Sequence, residues 1–241
     1  MPHPEPAPEH KPVPQVDFDL DDLDADDTYL DFYRTIGASE LVPLAEHHDG
    51  PHSYYVLHDR SAVWGHPGAP EVLAVHLRRD HADGTFTFDQ APLPLAAMAQ
   101  SWLIHRGCPP EAIALDPGLG APPADDATRA LEQRLIGDGD RYAMGYSYTS
   151  DDPDDMVIVV ALHALGEGTL SPFRVMIQEV NADTWTRTLR EGGFDTADEA
   201  LQWCTARIAG EAGPLPPVRP TTIFPAGVAK GPAVRPPGRA R

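Results

Sequence analysis

"NADTWTRTLREGGFDTADEALQWC", residues 181–204, reads as a strand, a turn and a capped helix. From Trp185 to Leu189 an aromatic and a leucine flank threonines, the composition of a half-buried strand. Gly192-Gly193 reads as the turn. Thr196, with Glu199 three positions later, forms a capping box, and Ala197, Ala200, Leu201, Cys204 and Ile208 recur on one stripe of a helix over 196–209. Whether this strand–turn–helix stands alone or is one brick of a larger fold decides the architecture.

Working outward favours the brick. "RYAMGYSYT" (141–149), "MVIVVALHAL" (156–165) and "FRVMIQEV" (173–180) read as further strands, and Asp126 can cap a helix that carries Leu131 and Leu135 and ends at Gly137. The earlier chain presents the same order. Asp27 can cap a helix with Leu30, Tyr33 and Ile36 on one side, ended by Gly37. The strands "SYYVLHDR" (53–60), "EVLAVHLRR" (71–79) and "TFTF" (85–88) follow, and a helix over 93–106 with Leu95, Met98, Ala99 and Trp102 on one stripe stops at Gly107. A shift of 100 lays "RTIG" (34–37) on "RLIG" (134–137) and gives nine identities across 26–83. The pattern predicts an α+β fold built from a duplicated α-βββ-α unit, with antiparallel sheets covered by helices and disordered Pro-rich termini. Its divisions are a Pro-rich and acidic segment (1–26), a first half (27–107), a linker (108–125), a second half (126–211) and a basic Pro-rich tail (212–241). The same register sets Arg79 opposite Glu179 and raises the expectation that they meet about a pseudo-twofold axis.

Charge narrows function. All 37 acids and 13 of the 18 bases fall within residues 1–211, a net of −24, whereas 212–241 holds five bases and no acid. Such a body repels phosphate backbones and suits a basic protein partner. The opening stretch resembles the arm-type DNA-binding module of phage-type integrases, through an aromatic in its strand and a Thr-capped helix. Those modules need a basic face, and 173–211 carries four arginines against seven acids, so direct nucleic-acid binding by the folded core is not expected. At the level of topology the α-βββ-α unit looks like bacterial secretion-chaperone-type proteins, which implies a protein-binding role. High Ala, Pro and Gly content with Arg in place of Lys fits a GC-rich bacterial genome. No signal-peptide pattern opens the chain, and the longest apolar run (156–165) is too short to span a bilayer; the expectation is cytoplasmic, with no membrane contact.

Candidate chemistry is thin. Glu46, His47, His48, Asp49 and His52 are ligand types, and Gly50-Pro51 can turn the chain so that His47, His48, Asp49 and His52 converge; the competing reading is a solvated loop before a strand. The acidic tract fails the calcium-loop pattern, lacking Gly at its sixth position and Glu at its twelfth. Asp17, Phe18, Asp19, Leu20, Asp21, Asp22, Leu23 and Asp24 instead suit a linear motif for a basic groove. "GYSYT" (145–149) lacks the second glycine of a nucleophile elbow around Ser147, Cys108 has no evident base, and two cysteines make no disulfide framework. No cofactor is expected. The sequence reading is a non-enzymatic acidic binding protein of adaptor, inhibitor or immunity, or chaperone type. A metal-dependent hydrolase built on the histidine loop and a DNA mimic are its rivals; partner identity and oligomeric state stay open.

Overall fold

Residues 16–20, 23–25, 29–37, 39–62, 69–166 and 170–219 are described by a computed structural model. Within them the duplication is present, with one strand more per half than the α-βββ-α pattern. The first half runs α1 (Tyr29–Gly37), β2 (Leu41–Asp49), β3 (His52–Asp59), β4 (Val72–Asp80), β5 (Thr85–Leu93) and α2 (Ala96–Ile104), preceded by a two-residue β1 (Asp24–Ala25). The second runs α3 (Asp126–Asp138), β6 (Tyr142–Asp152), β7 (Asp155–Ala164), β8 (Phe173–Asn181), β9 (Thr186–Phe194) and α4 (Ala197–Ile208). Each half forms an antiparallel meander, β2-β3-β4-β5 and β6-β7-β8-β9, and β1 joins the β5 edge in parallel.

The extra strand of the first half is β2, where the sequence suggested a loop. Its outer position explains the misreading. An edge strand tolerates Pro43, which sits where the β2–β3 register shifts, and its polar end continues in register to Asp49 opposite His52. In the second half the strand through Trp185 begins at Thr186 and continues past Leu189 to Phe194. Gly192 and Gly193 therefore lie inside β9, opposite Val175 and Arg174, and are not a turn.

The structural repeat is offset by 101, not 100: β4, β5 and α2 begin at 72, 85 and 96, and β8, β9 and α4 at 173, 186 and 197. In a strand a one-residue slip reverses the face. Arg79 therefore corresponds to Val180. Arg79 lies on the α1 side of its sheet and donates to Phe18 O (2.5 Å), Asp19 O (3.1 Å) and Ser53 Oγ (2.6 Å), whereas Glu179 pairs with Arg207 of α4. The two do not meet.

The layers run α1, first sheet, α2 with α3, second sheet, α4. Tyr55, Leu57, Leu73, Val75 and Leu77 face α1 through Phe32, while Tyr54, Val56, Val72 and Ala74 face Ala99, Trp102 and Leu103 of α2. Leu95, Ala97 and Met98, at the start of α2, pack with Leu135 of α3 against Val160, Leu162, Met176 and Leu189. α2 is enclosed nearly all round, burying even its polar Gln100 and Ser101 along with its apolar residues. Val157, Val159, Val175 and Ile177 meet Ala200 and Cys204 of α4.

Local chemistry moves several expected positions. The buried anchor of α1 is Phe32, and Tyr33 is exposed; Asp27 lies outside the described residues. Asp125 rather than Asp126 caps α3, accepting from Thr128 N, and α3 continues through Gly137 to Asp138. The Thr196–Glu199 capping box forms as read, but Leu201 and Ile208 point to solvent.

Both ends of the described chain lie on the body. Val16, Phe18, Leu20 and Leu23 pack onto the Phe32–Tyr55–Phe86 cluster. At the other end Leu215 packs on the α4 side of the second sheet, Gly193 N–H donates to Pro216 O, and Arg219 pairs with Asp195. Residues 212–219 of the tail are thus laid along β9.

Candidate functional site

Strand alternation separates the four candidate ligands. His47 and Asp49 stand opposite Tyr54 and His52, on the α2 side of the first sheet; His48 stands opposite Ser53, on the other side. His48 Nδ1 lies 2.7 Å from Ser53 Oγ, beside the contact that Arg79 makes with the same hydroxyl. The convergence expected of His47, His48, Asp49 and His52 therefore fails at His48. Among the described residues no three His, Cys, Asp or Glu side chains come together as a metal set.

What forms instead is a strip of stacked rings crossing β2, β3 and β4. Tyr54 and His76 stack with centroids 4.6 Å apart and planes within 1°. His52 stacks on His76 at 5.2 Å, with its Nδ1 3.0 Å from His76 Nε2, and His47 lies parallel to Tyr54 at 6.2 Å. Burial lowers the His76 pKa, the nearby His52 lowers it further, and Asp89 opposes them. His76 is therefore neutral at pH 7, and one imidazole donates to the other. Tyr54 is raised by burial, then by Cys108 and Asp49, and its hydroxyl donates to Arg106 O. Sequence reasoning missed Tyr54 and His76 because their place beside His52 depends on strand register, which composition does not carry.

The described cysteines and Ser147 are not activated. Cys108 is buried and its thiol is pushed up to about 11, chiefly by burial; Cys204 reaches about 12 for the same reason. Ser147 Oγ is buried with no hydrogen-bond partner among the described residues, so no base contacts it.

The acidic segment is also placed. The Asp17 carbonyl accepts from Tyr55 OH, and Phe18 stands edge-on to Phe32 and Tyr55. Phe18, Leu20 and Leu23 are engaged within the chain, while Asp17 and Asp19 face solvent; Asp21 and Asp22 lie outside the described residues, as does the side chain of Asp24. In this arrangement the apolar residues of the proposed linear motif are not presented outward.

Where the halves meet, a carboxyl pair forms. Glu71, 7 % exposed at the start of β4, hydrogen-bonds to Asp151 near the tip of the β6–β7 hairpin. Burial, then the charge and hydrogen bond of Asp151, then Asp59, raise Glu71 to about 8. Glu71 is therefore largely protonated at neutral pH and donates to its neighbour. His58, nearby, is lowered mainly by burial, against the opposing pull of Asp151.

Arginine usage decides what the surface offers. Among the described residues eight arginines are seen in ion pairs with acids of the same chain, including Arg174 with Glu191, Arg187 with Glu132, Arg190 with Asp125, and Arg207 with Asp155 and Glu179. Arg79 is spent on main-chain carbonyls. The Arg190 guanidinium, ahead of the Thr128 bonds, holds the Asp125 carboxyl well below its usual range. Asp49, Asp80, Asp83, Asp152, Asp154, Asp183 and Asp198 remain exposed without a cation partner among the described residues. No described helix is long and apolar enough to cross a membrane. Comparison with known proteins returns no matching family model, curated protein or solved structure.

Proposed function

We propose that this chain is a non-enzymatic binding protein of adaptor, inhibitor or chaperone type that engages basic protein partners. One observation carries the reading: most arginines of the described body are paired with its own acids, and the exposed Arg60, Arg78 and Arg141 are outnumbered by exposed aspartates that have no cation partner among the described residues, so an acidic field faces outward. Such a field speeds encounter with a basic partner and turns away nucleic acid. The test is fluorescence anisotropy of the full chain with arginine-rich, neutral and acidic synthetic peptides across a salt series. Binding confined to the arginine-rich peptides, weakening about tenfold or more as salt screens it, supports the reading. Equal binding of neutral peptides, or none at any salt, sinks it. The same surface fits a DNA mimic, for which duplex DNA would displace the chain from a DNA-binding protein.

A further inference from the structure

A sheet edge presents unpaired N–H and C=O groups, and proteins cover or blunt them. Three of the four meander edges here are covered by the chain itself. β1 lies along β5 at Thr85 and Phe86. The linker covers β2, with Asp116 N–H donating to Leu44 O and Ile113 and Leu115 packing beneath. β9 pairs with Pro122 and Ala124 through Arg187 and takes Pro216 at Gly193. The fourth edge, β6, has β7 as its sole strand partner among the described residues; Ala143, Met144 and Gly145 are exposed, Met144 by 40 %.

The repeat explains why this edge is bare. After α2 the chain turns onto β2; after α4 the equivalent segment turns the other way, onto β9. The structural offset places Ala91 and Pro92 where the second half has Gly192 and Gly193. Pro92 has no N–H to offer. Gly193 has one, which holds Pro216 O at 3.0 Å, and a Cβ there would lie 2.9 Å from Val218 Cα. The second half's cover is drawn to β9, and β6 is left open.

We propose that the open β6 edge receives an extended segment of a basic partner as an added strand of the second sheet, with its basic residues toward the Asp151–Asp155 turn. This rests on the protein-binding reading above and locates it. Charge complementarity selects the occupant: Asp152 and Asp154 are exposed at that turn without a cation partner among the described residues, Arg207 being committed to Asp155 and Glu179. A second copy fits less well, because the bulge at Gly145 and the aspartates are devices that oppose edge-to-edge self-pairing. Main-chain pairing would supply affinity and the flanking side chains selectivity. Tyr146 and Tyr148 flank the edge on one face; Ser147 and Thr149, whose hydroxyls are buried and unpartnered among the described residues, flank it on the other.

Hydrogen exchange of the full chain tests this, using a synthetic peptide of alternating valine and threonine that ends in an arginine cluster. Its control has the same sequence with an N-methylated backbone, which keeps the charge and removes strand pairing. The expected result is slowed exchange confined to 143–150 with the first peptide and not the second. Asp152→Lys with Asp154→Lys, both at exposed sites, should weaken binding about tenfold or more. Binding of both peptides with protection elsewhere overturns the edge assignment and leaves the protein-binding reading standing. Absence of binding by either overturns both. Concentration-dependent protection of 143–150 without peptide identifies a second copy as the occupant and also overturns the proposal.

Discussion

The two halves share a four-stranded meander between two helices, yet they hold their covering segments by different means. On the first sheet the acidic lead-in is fixed by a buried cation: Arg79, 6 % exposed, reaches two consecutive carbonyls, and Phe18 fills the aromatic cluster beneath. On the second sheet residues 213–219 are fixed by an absence of side chain at Gly192 and Gly193, with the Arg219–Asp195 pair outside. A repeat thus conserves its layers while each copy finishes its surface from whatever chain lies nearest.

Breaking the first cover should cost most. Arg79→Met removes the buried cation that bridges Ser53 Oγ to the Phe18 and Asp19 carbonyls, leaving Ser53 its contact with His48, with an expected loss of about 3 kcal/mol. A thermal melt reads it, and exchange should rise across 16–20 while 213–219 stay protected. Loss of protection at both ends would mean that the two covers are not separate. The reciprocal change, Gly193→Val, drives a side chain into Val218 and Ser171 and should cost about 1–3 kcal/mol, releasing 213–219 to limited proteolysis. Unchanged cleavage would show that the segment is held without that close approach.

Glu71 sharpens the comparison where the halves touch. Its carboxyl goes from 4.5 to about 8 in the folded chain, so between those values the fold binds a proton that the unfolded chain has released. Stability should therefore fall as pH rises from about 5 to about 8, with no further contribution above that window. Glu71→Gln should flatten this dependence. A slope that persists in the variant would assign it to another group. Smallest is Thr196→Ala, which removes the α4 capping box at about 1 kcal/mol and should leave the first sheet's exchange unaltered.

Where chemistry is local, the fold was legible. Thr196 and Glu199, three positions apart, announce a helix start, Gly107 marks the stop after α2 with a φ of 99°, and runs of apolar residues mark β4, β7 and β8. What escaped depends on distant partners. Pro43 and the His47-His48-Asp49 run look like loop until β3 supplies a neighbour. The repeat register of 100 came from the helical RTIG and RLIG segments, and the one-residue difference that follows reverses every face after it. Phe18 and Leu23 look solvated among aspartates because nothing local says that Tyr55 and Phe86 will enclose them. The candidate site was legible only in part: His47, Asp49 and His52 were named, and their true neighbours Tyr54 and His76 were not.

Helix α2 belongs to the first half by sequence and to both by packing. Without Leu95, Ala97 and Met98 the Val160–Met176 face of the second sheet would stand bare, and without α3 those three residues would face water. Duplication here has not produced two modules on a tether. It has removed the independence of each, so the chain should melt in a single cooperative transition, and a cut within 108–125 should give fragments that fold only on each other.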